Sequence, residues 1–213
     1  MTGWTRTLRT PCAALLLDLD GVLRRFDPSH EARVTAAHDL PDGLLTRTAF
    51  EPDRLRPVLL GQVAHEAWTA GVLESVAATL DDRTRAEQAV RDWHAYRGEV
   101  VPEVLAAVRE VRAAGVPVAL GTNATDLLAA DLDGLGLTGE VDVVVNSSEV
   151  GHAKPSKEFF VAACERLGVA PRLCLFVDDS ERNIRGARAA GLAAVRYTGP
   201  EDMRYVRSML AAA

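Results

Sequence analysis

Short runs of apolar residues recur along the chain at Ala13–Leu17, Val116–Leu120, Val141–Val145, Leu173–Val177 and Ala193–Tyr197. Most are continuously apolar rather than alternating, the pattern of strands covered on both faces. Helical spacing fills the intervals between them. Pro102–Ala114 opens with proline in its first turn and is followed by Gly115. Lys157–Leu167 follows a capping Ser156 and stops at Gly168, and Glu181–Ala190 follows Ser180 and stops at Gly191. Proline at the start, a hydroxyl at the cap and glycine past the end are the expected helix punctuation. Strands alternating with helices predict βαβ units and an α/β fold on a doubly wound, Rossmann-like parallel sheet.

The first strand is out of step with the others. Roughly 80 residues separate Gly21 from the helix at Pro102, far more than a strand-to-helix connection needs. Within that interval Leu55–Val63, Ala64–Leu80 and Arg83–Arg97 carry apolar residues at helical spacing, Trp68, Leu73, Val76 and Trp93 among them. The division that follows is an α/β core made of residues 1–23 and 101–213, with residues 24–100 inserted as a small helical domain. The chain length of 213 residues suits that division.

With 48% hydrophobic and 25% charged residues, the chain has ample material for a core and no sign of bulk disorder. A formal charge of −6 argues against a general nucleic-acid partner. The longest apolar run near the start, Cys12–Leu17, is stopped by Asp18; it is too short to span a membrane and lacks a cleavage site. The expectation is a mature chain starting near Met1, with a cytoplasmic location and no membrane partner. Cys12, Cys164 and Cys174 lie in apolar stretches without metal-binding spacing, so they are expected as reduced core thiols. Only two of the 24 basic residues are lysines, Lys154 and Lys157. Codon bias accounts for the arginines, but a lysine in such a chain merits attention.

Reactive residue types follow the predicted strands directly. Leu15-Leu16-Leu17 runs into Asp18-Leu19-Asp20-Gly21, Leu120-Gly121 into Thr122-Asn123, and Phe176-Val177 into Asp178-Asp179-Ser180. After the run at Val141–Val145, a loop leads to Lys154-Pro155 at the mouth of a helix. Ligands of open α/β sheets bind at the carboxyl ends of the strands, so these segments should converge on one site. Asp18, Asp178 and Asp179, with Asp20 close by, would repel one another there unless protonated or bridged by a hard cation. Oxygen donors without cysteine or histidine select magnesium over zinc. Lys154 adds a positive charge and Thr122 a hydroxyl donor, which with free backbone N–H groups suit a phosphate. A carboxylate facing that phosphate can attack phosphorus, and a second one two residues on can protonate the leaving oxygen and later activate water.

DLDGV at 18–22, GTN at 121–123, AKP at 153–155 and FVDDSERN at 176–183 resemble, in order, the four motifs of the haloacid dehalogenase superfamily. The resemblance spans about residues 13–200 and includes the helical insertion, which is similar to the cap that one subclass places between its first two motifs. It implies that Asp18 is the nucleophile and Asp20 the general acid/base, the latter's backbone carbonyl also reaching magnesium. It further implies that Thr122 and Lys154 hold the phosphoryl oxygens, and that Asp178 and Asp179 hold the metal. Asn123 falls at a phosphate-binding, site-supporting position, and Asn183 at a supporting one. Val22 departs from the threonine that many members carry after the glycine.

The implied activity is hydrolysis of a small phosphorylated metabolite. The dehalogenases that name the superfamily generally lack a carboxylate two residues after the nucleophile, so Asp20 favours phosphate-ester chemistry. A phosphomutase of the same fold is compatible with the same motifs. A phosphate-responsive module without catalysis is disfavoured by the order Asp–Thr–Lys–Asp-Asp. Arg24 and Arg25 follow the nucleophile loop and could meet an anionic substrate or simply be solvated. His65, His94 and Arg97 are weaker candidates of the same kind. Trp68 and Trp93 are expected in the core of the inserted helices rather than in a stacking site.

Overall fold

The computed structural model describes residues 11–210, so the expected start near Met1 lies outside the described residues. In chain order, strand β1 (Ala14–Leu17) is followed by the two-residue β2 (Arg24–Arg25). Five helices come next: α1 (His30–Ala37), α2 (Leu44–Ala49), α3 (Pro52–Leu59), α4 (His65–Leu80) and α5 (Arg83–Ala95). The chain returns through β3 (Glu99–Val100), α6 (Pro102–Ala113), β4 (Val118–Thr122), α7 (Leu128–Gly134), β5 (Val143–Asn146) and α8 (Ser147–Val150). It continues with α9 (Lys157–Leu167), β6 (Cys174–Asp178), α10 (Glu181–Ala189), β7 (Ala193–Arg196) and α11 (Asp202–Met209).

The five apolar runs form one parallel sheet in the order β5-β4-β1-β6-β7. Its central strands β1, β4 and β6 are buried along their whole length, which is why they read as unbroken apolar runs. Two apolar clusters pack around the sheet. One gathers Leu15, Leu17, Val118, Leu120, Leu175 and Val177 with α6 and α11, and the other gathers Leu16, Ala119 and Phe176 with α9 and α10. The alternation of Leu15, Leu16 and Leu17 between the clusters is the two-residue period of a strand in the middle of a layered fold. All three cysteines are buried and free of disulfides.

The inserted helices have an apolar cluster of their own, with Leu45, Val58, Val72, Val76 and Val90 at its centre. Trp68 belongs to that cluster and Trp93 packs against it. The chain leaves and re-enters the sheet through a two-stranded antiparallel ribbon pairing Arg24 with Val100 and Arg25 with Glu99. Val22, the departure from the family pattern, is fully buried in the core cluster, where a valine packs without leaving a hydroxyl to satisfy. The expected caps differ in detail. Ser156 accepts a hydrogen bond from the Phe159 N–H, whereas the Ser180 side chain makes no cap and its N–H donates to Asp178 instead. Among the described residues, no helix is long and apolar enough to cross a membrane.

Candidate active site

Strand register brings the reactive residues together. Leu17 lies beside Leu120 on one side and Val177 on the other, so Asp18 emerges between the ends of β4 and β6. Thr122 closes β4 and Asp178 closes β6, both essentially without solvent exposure. The fourth contributor, Lys154, arrives on the loop before α9, and its peptide bond to Pro155 is cis. Gly186 in α10 makes room for that loop, since a Cβ there would stand 2.5 Å from the Pro155 carbonyl oxygen.

The Lys154 ammonium sits 2.7 Å from Asp18 Oδ1 and 2.8 Å from Asp178 Oδ2, and all three residues are buried. Asp18 Oδ1 also accepts a hydrogen bond from the Leu19 N–H at 2.7 Å. Asp178 is held by the Asn183 amide at 3.0 and 3.1 Å and by the Ser180 N–H at 2.8 Å. Asn123 fixes the lysine through the backbone: its Oδ1 accepts from the Lys154 N–H at 2.7 Å and its amide donates to the Lys154 carbonyl at 3.0 Å. The Asn123 side chain thus positions the cation. This reciprocal pairing has no signal in the sequence beyond the proximity of Asn123 to the end of a strand.

Electrostatics follow from burial and company. Burial pushes the Asp18 carboxyl well above its ordinary range; Lys154 opposes the shift and Asp178 reinforces it. Burial would also raise Asp178, but Lys154 and the hydrogen bonds around it hold that carboxyl below its usual value. Lys154, despite burial, is held above its ordinary value by the two carboxylates and stays a fixed cation. Asp179 is exposed, yet partial desolvation of its carboxyl and the charge of Asp178 raise it above its ordinary range. Oxygens of Asp18, Asp178 and Asp179 lie within 4.8 Å of one another. Three carboxylates against a single ammonium leave negative charge to be neutralised, and an all-oxygen donor set fits magnesium. Gly21, at φ +82°, lets the loop after β1 pass close to this group, because a Cβ there would stand 2.2 Å from Asp179 Oδ2.

Asp20 turns away from the cluster. Its carboxylate makes two contacts to the Arg24 guanidinium, at 2.6 and 3.1 Å, and Arg24 continues to Asp131 on α7 at 3.2 Å. Arg24 is buried and lines the cavity beside the site, but it is already matched by two carboxylates. Arg25, the other arginine expected near a substrate, points to Glu99 across the ribbon, is exposed and does not line that cavity. Alternation along a strand separates the two. Asp131 was not legible in the sequence, since α7 is short and closes on a glycine.

Beyond Asp20 and Asn123 opens a cavity of about 450 Å³ between the sheet ends and the inserted helices. His65, His94 and Arg97 line it, as do both Trp68 and Trp93. The two tryptophans thus serve the helical core and a cavity wall at once. Phe26, Phe50 and Tyr96 also face this space, and none of them stood out in the sequence.

Comparison with known proteins agrees with the motifs. Residues 12–191 match the model of the haloacid dehalogenase-like hydrolases. The chain is 32% identical over 197 residues to the phosphatase MT3486 of Mycobacterium tuberculosis, covering 85% of each. It is 27% identical over 202 residues to the fructose-1-phosphate phosphatase YqaB of Escherichia coli, covering 86% of this chain and 95% of that one. Among solved structures, an enzyme of the same family from Bacteroides thetaiotaomicron, in complex with magnesium and inorganic phosphate, superposes with a TM-score of 0.72 at 20% identity. That alignment covers 92% of this chain and 98% of the other. The chain belongs to the haloacid dehalogenase-like hydrolases, and its relatives mark it as a phosphatase.

Proposed function

We propose that this hydrolase is a magnesium-dependent phosphatase that cleaves a small phosphorylated metabolite through an aspartyl-phosphate on Asp18. The observation that carries the reading is the buried Asp18–Lys154–Asp178 contact at the carboxyl ends of β1 and β6, with Asp20 two residues beyond the nucleophile. Asp18 Oδ1 already takes both the ammonium and the Leu19 N–H, so Oδ2 is the oxygen left to attack phosphorus. As that bond forms and the bond to the leaving oxygen breaks, Asp20 gives its proton to the leaving alcohol. Asp20 then takes a proton from water, which attacks phosphorus, releases inorganic phosphate and restores Asp18. Lys154 and the Thr122 hydroxyl hold phosphoryl oxygens, and Lys154 also orients Asp18.

Magnesium, held by Asp18, Asp178, Asp179 and the Asp20 carbonyl, would neutralise the charge gathering on the phosphoryl oxygens. Asn123 and Asn183 position Lys154 and Asp178. Residues 24–100 act as a cap over the core formed by residues 1–23 and 101–213, entering and leaving through the ribbon at Arg24–Arg25 and Glu99–Val100. In this arrangement Asp20 must leave Arg24 to reach a leaving oxygen, so cap movement and proton transfer are linked through the Asp20–Arg24–Asp131 chain. The setting is the cytoplasm. The test is phosphate release from p-nitrophenyl phosphate with magnesium present: EDTA stops it and Asp18→Asn abolishes it, while full activity in Asp18→Asn would overturn the mechanism.

A further inference from the structure

The cavity beyond Asp20 is unlike the charged cluster it adjoins. Its walls are ring systems: Trp93 meets His94 at 4.9 Å and Phe50 at 6.2 Å between centroids, and Trp68 meets His94 at 5.6 Å. Phe26 and Phe50 are 48% and 52% exposed, two large apolar side chains left to solvent on the wall of a cavity. Exposed aromatic surface of this kind marks a place where an apolar partner belongs.

Most polar groups of the lining already have partners, although His94 Nε2 is buried without one and Arg97 is only loosely paired. Arg24 is matched by Asp20 and Asp131, and Arg97 stands 3.6 Å from Asp131. Glu31 accepts from the Thr46 N–H and hydroxyl, and Asp27 accepts from Ser29 and Arg33. His65 is tied to Thr125 through its ring and to Asp126 through its backbone. His94 is kept neutral by burial, aided by His65 and Arg97, and presents a ring rather than a charge. Four carboxylates and two guanidiniums line the space, so an anionic group entering it would meet surplus negative charge. Few unpaired donors are left for the hydroxyls of a sugar.

We infer that the cavity takes the leaving group of the substrate, and that this group is a neutral, planar aromatic body: the substrate class is the phosphomonoester of an aryl-methyl alcohol. This rests on the phosphatase reading, which puts the phosphate at Asp18 and the leaving oxygen next to Asp20 at the cavity mouth. The ring lies against Trp93 and Phe50, and Phe26 closes the other side. Carboxylate-bearing and polyol esters of similar length are poor substrates, because the four carboxylates of the lining disfavour an anion and most of its donors already have partners.

The test compares benzyl phosphate with n-propyl phosphate, glycerol phosphate and phosphoglycolate, none of which has an activated leaving group. Benzyl phosphate shows a kcat/KM at least about tenfold above n-propyl phosphate, the range of one well-buried aromatic contact. Phosphoglycolate is the poorest of the four. Phe50→Ala, at an exposed helix end, raises KM for benzyl phosphate several-fold, and by a larger factor than for n-propyl phosphate; an equal change in both overturns the aromatic contact. Equal or better turnover of n-propyl phosphate, glycerol phosphate or phosphoglycolate overturns the inference. Should no ester be cleaved, the phosphatase reading fails instead, and the cavity is judged by binding alone. Benzyl alcohol then quenches tryptophan fluorescence saturably at concentrations where n-propanol does not, and the absence of that difference overturns the inference.

Discussion

The strand-end cluster and the neighbouring cavity are built from opposite materials. At the cluster, the buried Lys154 ammonium lies within 2.8 Å of the buried Asp18 and Asp178 carboxyls, and each residue is fixed by backbone or amide hydrogen bonds. In the cavity, rings meet rings, burial holds His65 and His94 toward the neutral form, and Arg24 is matched by two carboxylates. The cluster stands on the ends of a fully buried sheet, where a shift of one residue would turn every side chain to the other face. The cavity stands on helices joined to that sheet by a two-stranded ribbon. On the proposed reading, chemistry sits on the buried sheet ends, and selectivity on helices that can be repacked without disturbing them. Asp20 and Asn123 join the two regions, and the Arg24–Asp131 chain extends from Asp20 along the cavity.

The largest effect that would break this contrast is loss of the central cation. Lys154→Met removes a preorganised donor and is expected to lower kcat by about 10²–10³-fold or more. It also leaves two buried carboxylates unmatched, at a stability cost of about 3–5 kcal/mol. Steady-state kinetics and urea unfolding measure the two separately. Near-normal turnover would show that the cluster is not the reacting centre.

Metal addition sharpens the comparison next. Burial raises the Asp18 carboxyl above its unfolded value despite Lys154, so without magnesium its ionisation costs stability as pH rises through its raised pKa. Magnesium at about a hundred times its dissociation constant should then contribute about 2.7 kcal/mol at neutral pH. The gain shrinks as pH falls and the raised Asp18 and Asp179 carboxyls take protons, and thermal melts with magnesium or EDTA at pH 7 and pH 5 read it. An equal gain at both would mean the ion binds elsewhere.

The smallest effect belongs to the cavity. His94 has its pKa pushed down to about 4 against an ordinary 6.5, chiefly by burial. A base with a lowered folded pKa contributes stability that is present above the unfolded value and lost as pH falls from 6.5 toward 4. His94→Phe should therefore flatten the fall in unfolding free energy over that window, as read by urea titrations at pH 7 and pH 5. His65, also lowered by burial, keeps part of the slope.

The two regions were unequally legible in the sequence. The central strands β1, β4 and β6 announce themselves because burial on both faces demands unbroken apolar runs, and their ends carry Asp18, Thr122 and Asp178 in plain sight; the edge strands β5 and β7 are only partly buried yet still show short apolar runs. Lys154 is visible as one of only two lysines. The ribbon is not, since Arg24-Arg25 and Glu99-Val100 are two-residue strands more than seventy positions apart with no periodicity to show. Helices α1, α7 and α11 bury only two residues each, too few to mark a helical face. The cavity was hidden for a further reason. Trp68 satisfies the spacing of a helix core, and nothing in that spacing distinguishes a ring that fills a core from one that also walls a cavity.

The central claim is that phosphorus becomes bonded to Asp18. Acid quenching of the enzyme during turnover of p-nitrophenyl phosphate with magnesium, followed by peptide mass spectrometry, tests it directly. The account predicts one phosphoryl group on the peptide containing Asp18 and none in Asp18→Asn. A phosphoryl group on any other residue, or turnover by Asp18→Asn at the wild-type rate, would contradict it.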